Sequence, residues 1–361
     1  MALFGGKKSY LGLDLGTSSL KLVELSGGSG EPRLITYGFI EEPTDIIKAD
    51  SQAAQARTVK LLKELIKKSR ATATKVVAAL PSFTVFSSII SLPAMSNKDL
   101  NAAIRWEAKK FVPMPLDEMV LDWRLLKELA GPRRDTTPTM AMKSKEMAKN
   151  LKILLTAAPK NLVKRYIEIF KALNLQIVSL ETEAFALERS LIGADPSPVM
   201  IIDIGALATN ICIIYEGVPI LNRGIDVGGE TITKAIANAL NIDLARAEQF
   251  KRDFGLSAGS NPQSQIPKTI EFVISSITNE VKHCFNLYHN VEDVPVEKIV
   301  LAGGSSFLPG LTDYISNFFQ IKTIIGDPWA RVAYPEELKP VLEEIGPRFA
   351  VASGLALREV V

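Results

Sequence analysis

Two stretches of the chain share one arrangement of apolar and polar positions. Residues 11–25 read LGLDLGTSSLKLVEL and residues 200–214 read MIIDIGALATNICII. In each, an apolar strand runs into Asp-x-Gly, small or hydroxylated residues follow, and a second apolar strand ends at a glycine-bearing turn, Ser26-Gly27-Gly28 or Glu216-Gly217. The pattern predicts a β-hairpin with a tight bend in each copy. Asp203 repeats Asp14 and Gly205 repeats Gly16, so two related halves are implied. Helical spacing of Leu61, Leu62, Leu65 and Ile66 predicts a helix over 49–68. Further helices are expected over 161–173 and 182–191, separated by a strand over 176–180 and stopped by Gly193, with Pro196 and Pro198 as a boundary. Later, 243–254 reads as a helix closed by Gly255, and 298–302 as a short buried strand running into Gly303-Gly304-Ser305. An apolar helix is expected over 349–361.

The stretch 82–159 does not fit the echo and reads as an inserted small α+β domain. It carries strand patterns at 87–92, 120–126 and 151–157, a helix over 96–111 capped by Ser96 or Asn97, and the rigid turn Pro113-Met114-Pro115. Residues 131–150 form a basic, turn-rich loop, and 257–267 a second polar loop. Residues 76–97 hold no charge and are long enough to span a bilayer. Pro81, Pro93 and the hydroxylated Ser82, Thr84, Ser87, Ser88 and Ser91 argue instead for two buried strands.

Composition narrows the function classes. With 47% hydrophobic and 23% charged residues among 361, the chain is an ordinary globular protein. Its 42 basic residues against 40 acidic leave a charge of +2, too small for a nucleic-acid footprint. Cys212 and Cys284 lack any Cys-x-x-Cys spacing and read as core residues. His283 and His289, six apart, fall on different helix faces and do not make a metal pair. The segment 1–9 predicts no secretory leader.

The repeated Asp-x-Gly is the chemical signal. A carboxylate at each strand end can orient waters around one Mg²⁺, and glycine with small residues lets backbone N–H groups approach phosphate oxygens. Gly16, Thr17, Ser18 and Ser19 supply donors in the first copy, and Lys21 stands where its ammonium could reach a phosphate. The plainer alternative, Asp14 and Asp203 merely capping turns, is weakened by the repetition. Gly303, Gly304 and Ser305 leave backbone bare for a nucleotide. Glu248 and Lys251 share a helix face, as a surface ion pair or as contacts to a ribose and base.

The ordered series Asp14-x-Gly16-Thr17, Asp203-x-Gly205, Gly228-Gly229-Glu230-Thr231, Ala247-Glu248-x-x-Lys251 and Ala302-Gly303-Gly304-Ser305 resembles the actin/DnaK/sugar-kinase ATPase superfamily, with the Ala-Glu-x-x-Lys helix similar to FtsA and MreB. The opening FGGKKSYLGLDLGTSSLKLVEL, the segment RWEAKKFVPMP at 105–115, the run EAFALER at 183–189 and ASGLALR at 352–358 resemble the PilM family of type IV pilus assembly proteins. The resemblance spans nearly the whole chain. It implies an α/β, actin-like (ribonuclease H-like, duplicated) two-domain fold: a first half over 1–81 completed by 160–197 and 345–361, the insert over 82–159, and a second half over 198–344. It implies ATP or ADP with Mg²⁺ at Asp14, Gly16, Thr17, Ser18, Ser19, Lys21, Asp203, Gly205, Gly228, Gly229, Glu248, Lys251, Gly303, Gly304 and Ser305, the metal reached by Asp14 and Asp203 through water. Glu183 matches a family glutamate that positions an attacking water, with Ala184 in place of the relatives' proline. Ala206 and Leu207 replace glycine in the second loop. Slow or absent hydrolysis is the expectation. The implied partners are the N-terminal cytoplasmic peptide of the inner-membrane protein PilN, other pilus assembly proteins and a further copy of the chain. The expected location is cytoplasmic, peripheral to the inner membrane through PilN, without nucleic acid or membrane insertion. An FtsA-like polymer and a sugar or acid kinase are the alternatives.

Overall fold

The computed structural model describes residues 8–28, 30–42, 51–126, 150–257 and 265–360. The basic loop expected over 131–150 lies outside them except for Asn150, which is strand, as does 258–264 of the second polar loop. Helix begins at Gln265, so the end of that expected loop is helical instead. Two compact units emerge, Thr84–Lys164 and the remainder, Met1–Phe83 with Arg165–Val361.

The larger unit holds two five-stranded sheets of the same plan. In the first, the order is β3 (Gly30–Ile40), β2 (Leu20–Gly28), β1 (Ser9–Leu15), β4 (Lys75–Leu80) and β8 (Gln176–Thr182). In the second it is β11 (Val218–Ile225), β10 (Thr209–Tyr215), β9 (Val199–Ile204), β12 (Lys298–Ala302) and β13 (Lys322–Ile325). Each sheet starts with an antiparallel meander and continues with two parallel strands. The predicted hairpins are β1–β2 and β9–β10, and the repeated sequence has become a repeated topology.

Parallel strands need both faces covered, which is why β9 and β12 are almost continuously apolar. On one face of the second sheet lie α5 (Gly229–Leu240), α6 (Leu244–Phe254), α7 (Gln265–His289) and α8 (Leu311–Phe319), whose Ile232, Ile236, Ile274, Ile277 and Ile315 close a core with Ile202, Ile213 and Leu301. The first sheet carries α1 (Gln52–Ser69) against β2 and β3. The side chain of Ser51 accepts from Ala54 N to cap it, so the helix starts three residues later than the apolar pattern suggests.

The element joining the sheets is α10 (Ala350–Leu357), all eight of whose residues are buried. It packs on β1, β2 and β4 and on α4 (Glu183–Leu187). Val351 and Leu355 join Val77, Ala184, Ile201, Cys212 and Val300 in a core drawing on both sheets. This close approach depends on glycine at two points. A Cβ at Gly12 would fall 2.0 Å from the Ala352 carbonyl oxygen, and one at Gly354 would fall 1.8 Å from that of Ala186. Cys212 and Cys284 are buried and free, as the sequence suggested.

The smaller unit is a three-stranded antiparallel sheet ordered β5 (Phe86–Pro93), β7 (Asn150–Pro159) and β6 (Met119–Leu125), with α2 (Asn97–Phe111) packed on it. The Ser96 hydroxyl accepts from Asp99 N and settles which residue caps α2. Leu100, Ile104 and Ala108 repeat every four residues and bury that face against Ile90, Ile153 and Leu155. The uncharged run 76–97 is therefore β4 and β5, and β5 is only partly buried. Among the described residues no helix is long and apolar enough to cross a membrane.

Candidate functional site

Strand ends of both sheets converge on one cleft within the larger unit, about 690 Å³ in volume. Asp14 is the penultimate residue of β1 and Asp203 of β9, because in both hairpins the apolar strand ends where the chain must turn. Both line the cleft with Gly16, Thr17, Ser18, Ser19, Lys21, Glu183, Gly205, Gly229, Glu248, Lys251, Gly303, Gly304 and Ser305. Gly228 stands behind this wall, where a Cβ would lie 2.6 Å from the Ala206 carbonyl oxygen. The loops brace one another: Gly229 N donates to Gly205 O at 2.9 Å and Glu230 N to Ala206 O at 2.8 Å. Gly303 has φ of +81°, and a Cβ there would lie 2.4 Å from Ile204 O and 2.5 Å from Asp203 Oδ1. Only glycine permits the last loop to pass so close to the Asp203 carboxylate.

The cleft is built around carboxylates. Lys21 Nζ donates to Asp14 Oδ2 at 2.9 Å, both groups being largely buried. Burial pushes Asp203 up to about 6, with Asp14 adding to the shift and Lys21 pulling against it. Burial also pushes Glu183 up to about 7, helped by Asp14 and opposed by hydrogen bonds from Ser82. The hydroxyl of fully buried Tyr166 has no hydrogen-bond partner among the described residues, and its pKa is raised by burial, then by Glu183 and Asp14. The net negative character of this floor suits a cation or a ligand that brings one.

The far wall is pre-arranged by α5 and α6. Lys251, itself buried, donates from Nζ to Glu248 Oε2 at 2.6 Å, to Thr233 Oγ1 at 3.0 Å and to Gly229 O at 3.2 Å. Arg252 Nε holds the other Glu248 oxygen at 3.0 Å. Burial would raise the Glu248 pKa, but the donors from Lys251 and Thr233 outweigh it and hold it below its ordinary value. Glu248 and Lys251 thus belong to a partly buried network that ties α6 to the start of α5, more than a surface pair. Arg348, paired to Glu41 and 5.0 Å from the centre of the Phe39 ring, extends the wall past Gly304.

Asn210, Ser82, Arg252, Arg348 and Glu41 are site residues that sequence reasoning missed. Asn210 had a signal. It follows Asp203 by the seven positions that separate Lys21 from Asp14, and each pair is in register across its hairpin. The others come from distant segments without a shared motif.

Comparison with known proteins bears on this arrangement. The family described as Type IV pilus assembly protein PilM matches residues 12–360. The chain belongs to the PilM family. A solved PilM-PilN type IV pilus biogenesis complex superposes with a TM-score of 0.80 at 30% identity, covering 98% of each chain. MreB5 of Spiroplasma citri bound to AMPPNP superposes at 0.55 with 15% identity, over 98% of this chain and 96% of that one, and so shares the actin-like fold. The cell division protein FtsA of Neisseria meningitidis is 21% identical over 95% of this chain and 88% of its own length. FtsA of Borreliella burgdorferi is 26% identical over 44% of this chain, a match spanning only 42% of that relative. The PilM family's actin-like fold accounts for the paired sheets and the duplicated hairpins.

Proposed function

We propose that this chain is a nucleotide-binding adaptor of type IV pilus assembly, holding ATP or ADP with Mg²⁺ in the cleft and docking the N-terminal cytoplasmic peptide of PilN at the inner membrane. The convergence of both Asp-x-Gly loops and the Gly303–Ser305 loop on one cleft carries the nucleotide reading. Small residues leave backbone donors accessible to phosphate at Gly16–Ser19, and Lys21 adds a cation. Among the described residues no three His, Cys, Asp or Glu side chains form a metal cage. The donor set fits a hydrated cation, whose waters Asp14 and Asp203 would hold, with Lys21 already neutralising part of Asp14. Bound there, Mg²⁺ would offset the phosphate charge that these carboxylates otherwise repel. In this reading Glu248 and Lys251 would meet the sugar and base, and their network fixes that wall before a ligand arrives.

Docking of PilN is supported by the 30% identical PilM-PilN complex, which covers nearly the whole of both chains. The same reading makes the nucleotide a conformational ligand, since Glu183 is held by hydrogen bonds from Ser82 and Asn210 instead of being left to orient a water.

At about 100-fold excess over its dissociation constant, Mg-ADP should add about 2.7 kcal/mol and raise the melting temperature by several degrees. Steady-state hydrolysis should stay below about 1 per second. A melting curve unmoved by millimolar Mg-ADP would remove the nucleotide reading. Calorimetry with a synthetic PilN N-terminal peptide tests the adaptor reading separately; absence of heat, with nucleotide binding intact, would remove it.

A further inference from the structure

Glu183 Oε2 is surrounded by donors. Ser82 N reaches it at 3.0 Å, Ser82 Oγ at 2.6 Å and Asn210 Nδ2 at 2.9 Å. Ser82 follows β4 and Glu183 follows β8, two neighbouring strands whose last paired residues are Leu80 and Thr182. Asn210 comes from β10 of the other sheet, directly across from Asp203. A single carboxylate oxygen therefore gathers the ends of two strands of the first sheet and one strand of the second, at the floor of the cleft.

We propose that Ser82, Glu183 and Asn210 form a clasp that fixes the separation of the two Asp-x-Gly loops, Glu183 and Asn210 being positioning residues for the nucleotide and its phosphates. The inference rests on the nucleotide reading of the cleft and adds to it what sets the cleft's width. Two observations favour a clasp over a water-activating base. Oε2 already accepts three hydrogen bonds from protein, so this half of the carboxylate is committed to the framework and could not activate a water without breaking them. The Asn210 amide also occupies a built niche: Gly224, opposite it on β11, has no side chain, and a Cβ there would stand 3.1 Å from Asn210 Oδ1. In the first hairpin the equivalent position is Lys21, which turns back onto Asp14 of its own hairpin. Asn210 is too short and uncharged for that exchange and reaches across to the other sheet instead. The echo has diverged so that one copy neutralises its aspartate and the other ties the sheets together.

The prediction separates charge from hydrogen bonding. Glu183→Gln keeps an acceptor oxygen for Ser82 and Asn210 and should bind Mg-ADP within about threefold of the parent chain. Glu183→Leu and Asn210→Ala each remove the cross-sheet bond and should weaken Mg-ADP about tenfold. The double variant should be no worse than Glu183→Leu alone, because that variant already removes the contact with Asn210. Gly224→Val, whose Cβ would stand 3.1 Å from Asn210 Oδ1 and 3.6 Å from the Phe83 Cβ, should reproduce the Asn210→Ala loss. Affinities are read by calorimetry, with circular dichroism confirming that each variant is folded. Rescue by glutamine together with non-additivity supports the clasp. Glutamine as damaging as leucine, or losses that multiply in the double variant, would overturn it. Absence of Mg-ADP binding by the parent chain would remove the nucleotide reading, and the clasp with it; binding by the parent with additive losses removes the clasp alone.

Discussion

Asp203→Asn should raise the melting temperature of the nucleotide-free protein at pH 8 while weakening its response to Mg-nucleotide. Burial, with Asp14 adding to it, pushes the Asp203 carboxyl to about 6, whereas an unfolded aspartate titrates near 4. The folded protein therefore holds this proton more tightly than the unfolded chain does. The stability that the protonated group contributes is fully present below about pH 4 and is lost as pH rises through about 6. At pH 8 the ionised, poorly solvated carboxylate costs about 2 to 3 kcal/mol, which an amide of the same shape does not. A gain of several degrees at pH 8 that fades by pH 4, together with a reduced shift on adding Mg-ADP, is the expected pattern. A variant no more stable than the parent at pH 8, or one with an undiminished nucleotide shift, would show that Asp203 is neither strained nor part of the cation's surroundings.

The second large effect lies behind the site. Gly354→Ala should destabilise by about 3 kcal/mol or more and lower the soluble yield, because its methyl would sit 1.8 Å from the Ala186 carbonyl oxygen. Gly12→Ala should behave alike, its methyl falling 2.0 Å from Ala352 O and 2.5 Å from Ala356 N. Neither contact is with the tip of a flexible side chain, so α10 or β1 would have to shift as a whole. Gly30→Ala, with nothing within 4 Å of the new atom, is the control. Urea titration compares the three; Gly354→Ala matching Gly30→Ala would mean that the helix–sheet contact is slack.

What the sequence revealed follows from how local each signal is. The hairpins β1–β2 and β9–β10 were legible because strand, bend and strand occur within fifteen residues and occur twice. The edge strand β3 was hidden, because exposed and buried positions mix along it and Pro32 interrupts the pattern. Helix α7 begins inside a stretch that reads as polar loop, since its first turn carries Gln265 and Pro267 and its apolar stripe starts later. In the cleft, residues belonging to a motif were found and residues recruited by tertiary contact were not. Ser82 meets Glu183 only because β4 and β8 are paired, and Arg348 meets Glu41 only because the segment before α10 returns to the first sheet. Lys21 was expected to face a phosphate; its ammonium is shared with Asp14, a partner that a strand pattern places opposite but does not bond.

The buried seat of α10 has a consequence for biosynthesis. The strands β1, β2 and β4 emerge from the ribosome early, yet the helix that covers them comes from residues 350–357. Until residues 350–357 are made, the apolar face formed by Tyr10, Val23, Leu25 and Val77 therefore has no native cover. Loop closure over so long a separation is slow, and exposed strands invite mispairing while it is pending. The nascent chain should depend on a holding chaperone until residues 350–357 have emerged, and a ribosome stalled before residue 350 should carry a first half that proteases still cut.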